Sequence, residues 1–151
     1  MTDRPPPRLG ADAPTEDYVG IAIGGGVFGV GIGVCLNALV VFSVRTIQAN
    51  RPPPPSTRLD LNSPEALLLL FGTFGACLAA AVAAWIAMHQ IRNPYRQGMF
   101  AIVTFFASFL FSLLTQFVDQ TMGRSGLLGL SVVAALGCWR QWHRLARLPT
   151  P

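Results

Sequence analysis

From Tyr18 to Val44 the chain reads YVGIAIGGGVFGVGIGVCLNALVVFSV, with no charged residue between Asp17 and Arg45. A membrane-crossing helix needs about 20 predominantly apolar residues, so this run is long enough to cross a bilayer. Within it Gly25, Gly29 and Gly33 recur every four residues, with Ala22 and Gly26 beside them. Residues four apart share one helix face. A glycine inside a helix costs about 1 kcal/mol against alanine. A flat stripe offsets that cost by letting two backbones approach closely in lipid. Close packing is therefore the expectation for this face. Asn37, one helical step past Gly33, extends it with an amide that needs a partner across the interface.

A second apolar run opens on a helix start signal: Ser63 as N-cap, Pro64 at the first helical position, then Glu65. It continues to Ile91, where Asn93-Pro94 reads as a stop. Gly72, Ala76, Ala80 and Ala84 form one four-residue series, and Gly75, Ala79, Ala83 and Ala87 form another. This helix is the natural neighbour of the glycine stripe.

The third run, Met99 to Val118, is bulky, carrying Phe100, Phe105, Phe106, Phe109, Phe111 and Phe117. At 100° per residue Thr104, Ser108, Ser112, Thr115 and Asp119 fall on one narrow face, flanked by Gln116 and Gln120. After a turn over Gln120 to Ser125, a fourth and shorter run extends from Gly126 to about Trp139. It crosses if Arg124 and Arg140 snorkel and Trp139 and Trp142 sit at the interface. The end, WRQWHRLARL, puts Arg140, His143, Arg144 and Arg147 on one face, with Trp139, Trp142, Leu145, Ala146 and Leu148 on the other. That is the pattern of an interfacial amphipathic helix.

The fold expected is all-α: an integral membrane protein of four transmembrane helices in a compact antiparallel bundle. Residues 1–17 read as a flexible proline-rich tail, with Thr15 placed to cap the first helix. Spans at 18–45, 64–91, 98–119 and 125–142 follow, the last running into a basic tail to residue 151. Residues 46–63 form a loop in which Pro52 to Pro55 act as a stiff spacer of about 12 Å. Charged residues make up 12% of the chain, where a soluble domain has about 25%, and this agrees with the membrane assignment. The start lacks the basic-then-apolar order of a cleaved signal, so the first span is expected to serve as an uncleaved anchor.

All eleven basic residues are arginine, a composition expected of GC-rich coding, and a bacterial inner membrane is the expected location. Seven of them (Arg4, Arg8, Arg92, Arg96, Arg140, Arg144 and Arg147) lie on one side of the expected topology, and Arg45, Arg51, Arg58 and Arg124 on the other. The positive-inside rule then puts both termini in the cytoplasm.

Chemistry is sparse. His89 and His143 lie at span ends, while Cys35, Cys77 and Cys138 sit at different depths. A metal needs ligands converging within about 2.0–2.3 Å, so no metal or cofactor site is expected. Nor is a disulfide framework expected. No ionisable residue lies at mid-span, where ion-coupled transport usually keeps one. Asp119, at the outer end of the third span, is expected to pair with Arg124 or to face headgroup water. The triple glycine Gly24 to Gly26 sits inside an apolar run rather than in a nucleotide-binding context. No nucleophile–base set is visible, and no nucleic-acid surface.

The partners expected are lipids, further copies of the chain, or a larger membrane complex, with no small-molecule substrate identifiable from the sequence. The function expected is that of a non-catalytic accessory, assembly or scaffold subunit. The alternative is an oligomeric pore in which the Thr104 to Asp119 face lines a water path.

Overall fold

The computed structural model describes residues 15–50, 63–89, 91 and 93–145. These form three helices: α1 (Thr15–Ala49), α2 (Pro64–Ala87) and α3 (Pro94–Leu145). Each is long and apolar enough to cross a membrane. The tail up to Pro14, the Pro52–Pro55 spacer, Arg147 with the residues around it, and the side chain of Thr15 lie outside what is described.

Helix α1 exceeds the expected 18–45 at both ends, taking in residues 15–17 of the expected tail and 46–49 of the expected loop; the other local signals hold with one reassignment. Ser63 caps α2 by accepting a hydrogen bond from the Ala66 amide at 3.2 Å, with Pro64 in the first turn. The expected run to Ile91 ends early. Helix α2 stops at Ala87, and a turn follows in which the Ile91 amide donates to the Met88 carbonyl at 2.9 Å. The dipeptide Asn93-Pro94, read as a stop, starts the next helix. Asn93 Oδ1 accepts from the amides of Tyr95 at 3.0 Å and Arg96 at 3.4 Å. Asparagine is a favoured N-cap and proline suits the first helical position, so α3 begins at Pro94 rather than 98.

The larger correction concerns the fourth helix. The described residues hold three helices, and no separate helix over 125–142: α3 runs for 52 residues through the expected turn at Gln120 to Ser125. The reason is local. Gly123 alone leaves helical geometry, at φ 63° and ψ −151°, a region essentially restricted to glycine, so no multi-residue loop is needed.

The contacts along α1 change direction there. Before Gly123 they advance together: Gly29 lies against Thr104, Gly33 against Ser108, Asn37 against Ser112 and Arg45 against Asp119. After it they retreat: Arg124 sits over the Phe42 ring, Cys35 faces Ser131, Gly31 faces Cys138 and Phe28 faces Trp142. Residues 94–122 thus run parallel to α1, and residues 124–145 run back along it.

The interior mixes small, polar and aliphatic side chains, while most of the bulky apolar ones lie on the exterior. Ala80 and Ala84 are fully buried, and so, to within 2%, are Asn37, Thr115 and Ser112. Leu70, Phe71, Phe74, Phe106, Leu110 and Phe117 are each more than half exposed. Such an apolar exterior is a liability in water. In hydrocarbon it is the ordinary outer surface of a helix bundle, and the arrangement is compatible with an integral membrane location.

Candidate functional site

The residues singled out by spacing meet along one seam, on the face of α1 that carries the glycines. At its lower end Ala22 packs in a cluster with Ile21, Ala84, Met88 and Ile91. A methyl group built on Gly25 would lie 2.5 Å from Met88 Cγ. On Gly29 it would lie 2.5 Å from the Ala80 carbonyl oxygen, 2.8 Å from Ala84 Cβ and 2.9 Å from Thr104 Cγ2. On Gly33 it would come within 3.0 Å of Ala80 Cβ and 3.1 Å of Ser108 Oγ. The glycine stripe therefore touches two neighbours at once, the α2 side through Ala80, Ala84 and Met88 and α3 through Thr104 and Ser108.

On α2 the series Gly72, Ala76, Ala80, Ala84 faces this seam, with Gly72 against Val40. The second small-residue series is less engaged: a methyl on Gly75 would meet nothing within 4 Å.

Above the glycines the seam turns polar. Asn37 is 1% exposed. Its Oδ1 accepts from Thr73 Oγ1 at 2.9 Å, and its Nδ2 donates to the Ser112 carbonyl at 3.4 Å, tying α1 to both neighbours. On α3 all five stripe residues, Thr104, Ser108, Ser112, Thr115 and Asp119, are buried. Thr104 donates to the Phe100 carbonyl at 2.8 Å, Ser112 to Phe109 at 2.6 Å and Thr115 to Phe111 at 2.9 Å. These hydroxyls satisfy themselves on their own helix. Ser108 Oγ is buried without a hydrogen-bond partner.

Asp119 is buried and takes a partner other than Arg124. Its carboxylate pairs with Arg45, at 2.7 Å to Nη2 and 2.8 Å to Nε. Arg124 instead sits 5.7 Å above the Phe42 ring centroid. Asp119 comes from the end of one α3 limb and Arg45 from the end of α1, so the pair ties those ends together. With Gln48, Gln120 and Arg124 they line a polar pocket of about 530 Å³.

Three contributors were missed from sequence. Thr73 is the donor to Asn37, and it falls on the same α2 face as Ala76, Ala80 and Ala84, so a helical projection would have found it. Gln97 Nε2 donates to the Trp85 carbonyl at 2.7 Å, bracing the α2–α3 turn. Arg45 counts in the sequence as a topology signal, yet it stands at the end of the first span as Asp119 stands at the end of the third.

Two surfaces complete the description. An apolar groove of about 630 Å³ opens between α1 and the two limbs of α3. Beside it the carboxyl end of α3 exposes Trp139, Arg140, Trp142 and Arg144, with the rings of Trp139 and His143 4.5 Å apart. Cys35, Cys77 and Cys138 are free thiols, and no three His, Cys, Asp or Glu groups come together as a metal site among the described residues.

Compared with protein-family models, curated proteins and solved structures, the chain matches none.

Proposed function

We propose that the chain is a non-catalytic membrane subunit, an accessory, assembly or scaffold component that associates laterally with further copies of itself or with a larger membrane complex. In this reading it crosses the membrane four times, the two limbs of α3 each crossing once, with both termini in the cytoplasm of a bacterial cell. The reversal of contacts at Gly123 supports the fourth crossing. The arginine count of seven against four supports the orientation, and the all-arginine basic set supports the bacterial location.

One observation carries the choice of a packing role over a pore. The stripe that would line a water path is buried in helix contacts, Thr115 at 0% and Ser112 at 2% exposed, with both hydroxyls bonded to their own helix. Charged rings or ordered carbonyls, the usual means of ion selection, do not appear among the described mid-span residues.

The test uses single cysteines in a background free of the native ones. Placed at Thr104, Ser108, Ser112 and Thr115, they should resist small water-soluble thiol reagents, and liposomes holding the protein should stay tight. Steady conductance abolished by Ser108→Phe in a protein that still folds would establish the pore instead. Topology is read separately: a cysteine at Ser56 should label from outside intact cells and one at Thr150 should not. Labelling at both would remove the fourth crossing.

A further inference from the structure

We infer that the groove between α1 and the two limbs of α3 is a binding site for one anionic phospholipid, with an acyl chain in the groove and the phosphate taken by Arg140 and Arg144. This rests on the reading that the chain lies in a bilayer.

The dimensions fit one leaflet. On α1 the lining runs from Val19 to Val34, a rise of about 22 Å. Half a bilayer, headgroups included, is about 20–22 Å thick. The walls are almost wholly apolar, and Gly31, Ala107, Ala134 and Gly137 keep them low. Only Thr104 and Cys138 bring polar atoms to the lining, and both already donate, to the carbonyls of Phe100 and Phe28.

Charge is placed at one end only. On the returning limb of α3 the wall is formed by Leu130, Val133, Ala134, Gly137 and Cys138, with Leu130, Val133 and Gly137 along one edge. Continuing the same three-and-four spacing reaches Arg140 and then Arg144, both exposed. On the facing limb the spacing below Val103 and Phe100 reaches Arg96. The Trp142 ring lies 5.7 Å from that of Phe28, which sets the arginines beside the lower half of the groove, at the end where α1 begins. A guanidinium holds a phosphate through two parallel hydrogen bonds. An apolar slot with arginines along one edge of its lower half complements an anionic lipid. It does not suit the chain's own first fourteen residues, which are polar and proline-rich.

The purified full chain in mild detergent is offered phosphatidylglycerol and phosphatidylcholine with identical acyl chains, and retained lipid is counted by native mass spectrometry. One phosphatidylglycerol should remain per protomer. Two arginines at an interface give it an advantage of about 25-fold over phosphatidylcholine. Arg140→Gln with Arg144→Gln should erase that preference. Gly137→Phe, where a Cβ meets nothing within 4 Å, should fill the slot and expel either lipid while helicity and melting temperature hold. Ala107→Phe, from the opposite wall, provides an independent block should the first variant fold poorly.

Equal retention of the two lipids by the wild type would overturn the proposal, as would retention unaffected by both blocking variants, the mark of loosely surrounding lipid. A dimer that Gly137→Phe splits would assign the groove to a second copy. A chain that stays soluble and monodisperse without detergent would remove the membrane reading itself, a result distinct from the others.

Discussion

Replacing Gly29 with alanine adds one methyl group where three helices meet. That methyl would stand 2.5 Å from the Ala80 carbonyl oxygen, 2.8 Å from Ala84 Cβ and 2.9 Å from Thr104 Cγ2. Carbon atoms in good contact lie about 3.5–4.0 Å apart, so α1 must withdraw by about 1 Å. The tightest neighbour is backbone, and no side-chain change on α2 relieves it. Overpacking of this kind costs about 1–3 kcal/mol. Alanine simultaneously gains about 1 kcal/mol of helix propensity over glycine, which would hide part of the loss.

Gly75→Ala removes that ambiguity. It makes the same chemical change in α2 where a methyl meets nothing within 4 Å, so it reports propensity alone. The difference between the two variants isolates the steric term, about 1–3 kcal/mol against Gly29→Ala. Reversible unfolding of both in mixed micelles, followed by helicity, measures it. If Gly29→Ala is as stable as Gly75→Ala, the close three-helix crossing at Gly29 is refuted.

The class of the fold was legible because hydrophobicity writes itself locally. The uncharged run after Asp17, the Ser63-Pro64 start and the four-residue glycine and alanine series each follow from rules acting within a turn or two of helix. The seam was legible only in halves. The glycine face and the hydroxyl face were each found by periodicity, yet period says which residues share a face and not which faces meet. That Gly29 touches both Ala80 and Thr104 depends on how α3 lies along α1.

The errors share a cause as well. Asn93-Pro94 is equally good chemistry for ending one helix and for starting another, and only the capping bonds to Tyr95 and Arg96 decide between them. Asp119 and Arg124 are close in sequence, which makes them a ready pair on local grounds. The bend at Gly123 turns Arg124 towards Phe42 and leaves Arg45, far away in the chain, to fill the site. The same bend replaced a six-residue turn with a single residue, something no local composition rule separates from a short polar loop.

Three further perturbations test the packing at single residues. A double-mutant cycle of Arg45→Gln and Asp119→Asn should give a coupling above about 1 kcal/mol, the ceiling of exposed pairs, because Asp119 is largely buried; a coupling near zero would make the contact incidental. The cycle Asn37→Ala with Thr73→Ala should give about 0.6 kcal/mol, typical of hydrogen bonds between membrane helices, and additive effects would deny the bond. Gly123 carries the sharpest demand. Its φ of 63° and ψ of −151° belong to a region essentially closed to L-residues, so Gly123→Ala should cost about 1–3 kcal/mol although a Cβ there meets nothing within 4 Å. Because space is free, the loss is one of backbone handedness, and chirality can separate it from crowding. The mirror image of that conformation is φ −63°, ψ 151°, close to the polyproline region that L-residues favour. A D-alanine introduced at 123 by semisynthesis should therefore be at least as stable as glycine, while L-alanine destabilises. An L-alanine that relaxes into continuous helix swings the returning limb off α1 and separates Trp142 from Phe28, which a cysteine crosslink between positions 28 and 142 would report as lost. Equal stability of the two enantiomers, with the crosslink intact in both, would show that the chain does not turn on Gly123.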